Sequence, residues 1–280
     1  LTYSFSPLIK RGDSPIVLAQ PHGGTDVPLN IWDRFNTVGQ ALADTDWHIN
    51  RLYDGLLENM SVIQTPVHRY VIDANRDPAG ASLYPGQNTT TLCPLTDFDG
   101  RPIYRDGQEP SEDEVEERRA KFHAPYHEAI AEELERVRQK FGVAVLYDCH
   151  SIRSNIPFLF EGELPVFNIG SNVGQTCAPM IEQITVDACR QDDSVETVVN
   201  ARFKGGWTTR HYGKPETGMH AIQMETAQRA YMFEQSPWAY APERADKTRT
   251  TLKSILTQLE AQALAGAFSN ASTSRKRSRQ

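Results

Sequence analysis

The chain has 280 residues, 39% hydrophobic and 23% charged, a balance that suits a soluble protein with a sizeable core and excludes a wholly disordered, collagen-like or coiled-coil chain. No apolar run approaches the ~20 residues of a membrane helix. The net charge is −7, and because 272–280 carries four cations the rest of the chain is more acidic still, which argues against nucleic acid as a partner.

Segment 1–10 lacks the basic start and long apolar stretch of a secretory signal, so a cytoplasmic protein is expected. Cys93, Cys149, Cys177 and Cys189 form no CxxC pair; reduced thiols are expected, and a Cys-rich zinc site is not. In chain order, Ile16 to Ala19, Val62 to Ile63, Tyr70 to Ile72, Val143 to Tyr147, Val166 to Ile169, Val195 to Val199 and Ala221 to Met224 read as buried strands. Ile49 to Leu57 reads as a helix. A longer one begins at the capping box Ser111 to Glu114 and carries Val115, Phe122, Tyr126, Ile130, Leu134 and Val137 on one stripe, with Pro125 expected to kink or divide it. The last helix aligns Leu252, Ile255, Leu256, Leu259 and Ala263 and stops near Gly266. Segment 84–110, rich in Pro, Gly, Asn, Thr and Asp, is too long for an inert connector and reads as a functional loop or lid. The pattern predicts an α/β protein, a three-layer α/β/α sandwich, with one domain over 1–268 and a disordered basic tail, 269–280.

The polar residues that matter stand at strand ends. His22 follows Ile16 to Pro21 and precedes two glycines; His150 follows the apolar run from Val143. Ligand sites in open α/β sheets gather at the carboxyl ends of strands, so the two imidazoles are expected to converge as metal ligands. A third ligand is needed, with an open position for water. Asp46 and Asp26 both qualify, and Asp46 has the alternative of capping the helix that follows it. Asp148 and His48 are candidates to orient an imidazole. Arg69, Asp73, Asn75 and Arg76 crowd one short segment, where Arg76 with Asn75 suits an anionic group and Asp73 suits a structural pair with arginine. Lys204, Gly205, Gly206 and Arg210 resemble a loop that approaches an anion. Along 220–226, alternation puts Ala221, Gln223 and Glu225 on one face and Ile222 and Met224 on the other, which directs Glu225 to a cavity as a general base or leaves it a salt-bridge partner.

Six segments in order, Pro21 to Gly24, Asp44 to Ile49, Arg69 to Arg76, Asp148 to Arg153, Phe203 to Gly213 and Gly218 to Glu225, resemble the N-formylglutamate amidohydrolases of histidine degradation, themselves similar to zinc carboxypeptidases and aspartoacylases. The resemblance implies a zinc-carboxypeptidase-like fold with a mixed, mostly parallel sheet, and a metallohydrolase acting on a small dicarboxylate, N-formyl-L-glutamate. It implies zinc held by His22, His150 and Asp46, with Asp26 the competitor. Glu225 falls at the general base, Arg69 is expected to steady the oxyanion, and Asn75 with Arg76 matches a carboxylate clamp. Arg153, Arg210 or Lys204 would take the second carboxylate. Another N-acyl amino acid as substrate, or a non-catalytic anion binder on the same fold, are the competing readings. Gly23 and the basic tail depart from the family pattern without touching this chemistry.

Overall fold

The computed structural model describes residues 5–81 and 89–268. Seven strands form one sheet: β1 (Leu8–Lys10), β2 (Ile16–Gln20), β3 (Ser61–Gln64), β4 (Ala144–Ile152), β5 (Phe167–Gly170), β6 (Thr197–Val199) and β7 (Met219–Ala227), in the order β1-β3-β2-β4-β7-β5-β6. The central neighbours β3, β2, β4 and β7 run parallel; β1 on β3 and β5 on β7 are antiparallel, and β6 runs parallel to β5. The sheet is therefore mixed and mostly parallel.

Its parallel centre is apolar on both faces, as a sheet covered by helices on either side requires. One face of the strands, including Ile16, Leu18, Val145, Tyr147, Ile222 and Met224, packs with the helices Ile49–Tyr53, Pro179–Cys189 and Pro242–Leu264. The alternate residues Val17, Ala19, Ala144, Leu146 and Ala221 pack under Tyr126, Ile130, Leu134 and Val137 of the helix Ala124–Phe141. Period-two alternation thus builds the three layers α/β/α.

The local signals act as their chemistry demands. Ser111 caps the helix Glu112–Arg118 by accepting from Glu114 N, and a π turn, Arg119–His123, separates that helix from Ala124–Phe141, with Pro125 in its first turn. Helical backbone continues through the π turn, where Ala124 N donates to Arg119 O, and Pro125 follows with no N–H to donate; the proline thus divides the pattern rather than ending the helix. Leu252, Ile255, Leu256, Leu259 and Ala263 are all buried on Pro242–Leu264.

Three expectations change. Tyr70 to Ile72 is a turn, not a strand: Val71 N donates to His68 O, Asp73 N donates to Leu92 O, and the three side chains pack with Phe35, Leu92 and Ile103 in a satellite core. A run this short carries no periodicity, so apolarity gave burial without conformation. The helix after Asp46 stops at Tyr53, short of Leu57, and Gly55 takes a positive φ of 68°. Of segment 84–110, residues 84–88 lie outside the described residues, as does the tail 269–280; the stretch around Leu92, Phe98, Ile103 and Tyr104 is buried rather than raised as a lid, and Thr89, Thr90 and Phe98 line a pocket.

Truncating the fully buried Leu256 (Leu256→Ala) is expected to remove about 2–5 kcal/mol of unfolding free energy, read as a lower urea midpoint. Leu264→Ala, at 60% exposure, should change the unfolding free energy by no more than about 0.5 kcal/mol.

Candidate metal centre and active site

Two adjacent parallel strands bring the histidines together. Ala19 of β2 pairs with Asp148 of β4, so His22, just past β2, and His150, two positions beyond Asp148, meet at the carboxyl ends of the strands. Their Nδ1 atoms are 3.2 Å apart. Asp46 reaches the same point from its loop: Oδ2 is 3.6 Å from His150 Nδ1 and 3.9 Å from His22 Nδ1. Asp46 does not cap the helix. Its Oδ2 accepts from Ser151 N (3.0 Å), and the capping position belongs to His48, whose backbone is left-handed and whose Nε2 lies 2.7 Å from Trp238 O, away from the site. Asp26 forms a bridge with Val67 and stands outside the donor group.

Each imidazole is oriented from behind. His22 Nε2 lies 2.7 Å from Asp73 Oδ1. His150 Nε2 lies 3.0 Å from Asp148 Oδ1 and 3.1 Å from Asn75 Nδ2. The Nδ1 atoms of both rings face Asp46 and are the ones that would donate to a metal. Carboxylates behind ligating imidazoles raise ligand basicity and fix the ring. Burial opposes charge on His150, yet Asp148 and Asp46 beside it hold its pKa well above the usual histidine value, a sign of excess negative charge at this point. Asp46 Oδ1 is buried without a hydrogen-bond partner. Two imidazoles, one carboxylate, an orphaned oxygen and a local negative field fit a divalent cation.

Arg69 is 5% exposed and could not sit there unpaired. Its Nη2 donates to Asp73 Oδ2 (2.8 Å), its Nη1 is 3.6 Å from Asp46 Oδ1, and its guanidinium stacks 4.6 Å from the Phe98 ring centre. Asp73 consequently serves both His22 and Arg69, and Arg76, His22 and Arg69 overcome its burial to hold its pKa well below the carboxylate range. Glu225 pairs across β4 and β7 with His150 and faces the same pocket as Gln223, while Ile222 and Met224 point into the opposite core. Burial raises the pKa of its carboxyl.

The pocket is lined by His22, His150 and Glu225 with Arg69, Asn75, Arg76 and Arg202. Three expected anion binders are elsewhere. Arg153 is not on this lining: its Nη2 lies 3.3 Å from Asp44 Oδ1 and 3.2 Å from Asp99 Oδ2, tying loop 97–99 to the segment that carries Asp46. Arg210 is likewise off the lining and donates from Nε to Gly205 O, and Lys204 is exposed. The glycines instead allow close packing on the site. A Cβ on Gly206 would meet Asn75 Nδ2 at 2.2 Å, Gly206 N donates to Gln223 Oε1, Thr208 N donates to Asn75 Oδ1, and Thr209 Oγ1 donates to Asp148 Oδ2.

A family model described as N-formylglutamate amidohydrolase matches residues 14–232. The chain belongs to the N-formylglutamate amidohydrolase family. Within it, the N-formylglutamate deformylase of Pseudomonas aeruginosa is 45% identical over 251 residues, spanning 89% of this chain and 94% of that protein. The Pseudomonas putida N-formylglutamate deformylase is 40% identical over 250 residues, spanning 89% and 93%. The crystal structure of N-formylglutamate amidohydrolase from Ralstonia eutropha JMP134 shares the fold, with a TM-score of 0.76 at 21% identity, over 92% of this chain and 99% of that one.

Family membership makes the protein a hydrolase and leaves the residues to be read from geometry. Sequence reasoning missed two of them. Asp73 is the arginine's partner that the sequence suggests, but nothing in its spacing from His22 reveals the further 2.7 Å contact across 51 positions. Arg202 had only its place beside the Phe203 to Gly213 motif as a signal.

The 73–76 segment is held by histidines on the helix over it: His123 Nε2 lies 3.0 Å from Arg76 O and His127 Nε2 lies 2.7 Å from Ala74 O. Burial, with His123 adjacent, lowers the His127 pKa to about 3. The unfolded chain takes up that proton near pH 6.5 and the folded one does not, so this histidine's contribution is complete above pH 6.5 and is lost as pH falls toward 3, by about 1.4 kcal/mol per pH unit. Urea midpoints between pH 7.5 and pH 5 should therefore fall less steeply in His127→Gln than in the wild type. Separately, Asp73→Asn should weaken metal binding by about 10- to 100-fold, measured by chelator competition.

Proposed function

We propose that the protein hydrolyses N-formyl-L-glutamate to formate and L-glutamate, with zinc as the metal held by His22, Asp46 and His150. The observation that carries this reading is the placement of a buried carboxylate, Glu225, in one pocket with His22, His150 and arginines suited to an acidic substrate. The substrate comes from the curated relatives, both named N-formylglutamate deformylase. The four buried, unpaired cysteines fit the reducing cytoplasm as the compartment. Among the described residues, no helix is long and apolar enough to cross a membrane.

When bound, the metal supplies Lewis acidity toward the formyl oxygen and lowers the pKa of water at the site. Glu225 takes a proton from the attacking water, and burial, which favours its neutral form, lets it keep that proton until the carbon–nitrogen bond breaks. It then returns the proton to the glutamate nitrogen, so water is divided between formate and the amine. Arg69 is locked by Asp73 and by stacking on Phe98, and offers a fixed donor to the oxygen that gains charge, a role worth about 3 kcal/mol where donors are preorganised. Asn75 and Arg76 are the clamp for the carboxylate next to the scissile amide, with Arg76 aimed by its bonds to Thr90 O and Oγ1.

Formate release from N-formyl-L-glutamate should be abolished by chelation and restored by zinc. Glu225→Gln should lower turnover by about 10²-fold or more while zinc content stays stoichiometric. Stoichiometric zinc without formate release would discard this substrate in favour of another N-acyl amino acid, and undiminished turnover in Glu225→Gln would remove that residue as the base.

A further inference from the structure

N-formyl-L-glutamate has two carboxylates, one beside the formamide and one at the end of two methylenes. Burying the second without a cation would be costly, since an ionised carboxylate needs a charged or strongly hydrogen-bonding partner when it leaves water. Three cations line the pocket among the described residues: Arg69, Arg76 and Arg202. Arg69 is bound to Asp73 and lies beside Asp46, on the metal side. Arg76 belongs to the same segment as Asp73 and is fixed through Thr90.

Arg202 comes from a different part of the chain, the segment between β6 and the helix Trp207–Tyr212. Its Nε donates to Leu159 O (3.1 Å), and its guanidinium lies 5.4 Å from the Phe203 ring centre. Anchoring at Nε fixes the plane of the guanidinium, the condition for recognising a carboxylate by geometry as well as charge. Beside it, Phe98, Ile152, Leu159 and Phe203 contribute apolar surface to the pocket and pack in one cluster. A polar substrate end at Arg202 and methylenes on that surface match a glutamate side chain.

We propose that Arg202 binds the side-chain carboxylate of the substrate and sets the preference for an acidic N-formyl amino acid over a neutral one of the same shape. The assignment rests on the deformylase reading and specifies its substrate class, in place of the more exposed Lys204 and of Arg153 and Arg210, which are off the pocket.

The test is the ratio of kcat/KM for N-formyl-L-glutamate to that for N-formyl-L-glutamine, measured by formate release in the zinc-loaded wild type, Arg202→Gln and Arg202→Lys. The wild type should favour the acidic substrate strongly. Arg202→Gln should lower the ratio by about 30-fold or more, the scale of truncating one member of a buried charge pair, mainly through KM, because a carboxylate remote from the reacting bond is held equally in ground and transition states. Arg202→Lys, with charge but no fork, should lower the ratio by about tenfold, and supplies the reading if the glutamine variant does not fold. An unchanged ratio in the folded variants, including equal losses on both substrates, overturns the assignment while leaving the deformylase reading intact. A zinc-loaded wild type that releases no formate from N-formyl-L-glutamate overturns both.

Discussion

The contact on which the site depends is the buried pairing of Asp73 with His22 and Arg69. Removing a carboxylate from water is costly unless its lone pairs are fully engaged. Asp73 gives one oxygen to an imidazole at 2.7 Å and the other to a guanidinium at 2.8 Å. That single side chain holds a candidate metal ligand and a candidate oxyanion donor in fixed relation. Asp148, behind His150, repeats the arrangement on the neighbouring strand. A site assembled this way is rigid before anything binds, which is what a metal centre and a preorganised donor both require.

Sheet order decides which residues can share it. β2, β4 and β7 are consecutive parallel neighbours, so everything at their carboxyl ends converges: His22 after β2, His150 near the end of β4, and Glu225 directly opposite His150 on β7. The antiparallel entry of β5 beside β7 places the following segments, through Arg202 to Tyr212, over the same edge. Gly206 then packs so closely on Asn75 that no larger residue fits without displacing it. The chain from 202 to 209 thereby adds a pocket cation, a backbone clamp on Asn75 and a hydroxyl on Asp148.

An acidic substrate proposed for an acidic protein is not a contradiction, because net charge acts at long range where salt screens it, while contact distances are governed by the cations present. Three arginines line this pocket among the described residues, and Glu225 is the lone carboxylate on the same lining. Burial raises its pKa, the direction that suits the proton uptake proposed for it.

Much of this was legible in the sequence. Apolar runs ending in His22 and His150 marked strand ends, alternation gave the face of Glu225, and the capping box at Ser111 gave the start of a helix, because each of these signals is local: a period, a cap or a run is set by neighbours a few positions away. Six short segments in order carried the family. The resemblance favoured Asp46 over Asp26, and tertiary structure brings Asp46 Oδ2 to 3.6 Å from His150 Nδ1 across more than a hundred positions. Tertiary structure also turned Tyr70 to Ile72 from an expected strand into a buried turn, gave Asp73 to His22, drew Arg153 to Asp44 and Asp99, and brought Arg202 to the pocket. The reason is common to all of them. Arginine and aspartate carry charge that any partner of opposite sign can satisfy, and the choice among partners is made by distances across the fold that no spacing along the chain encodes.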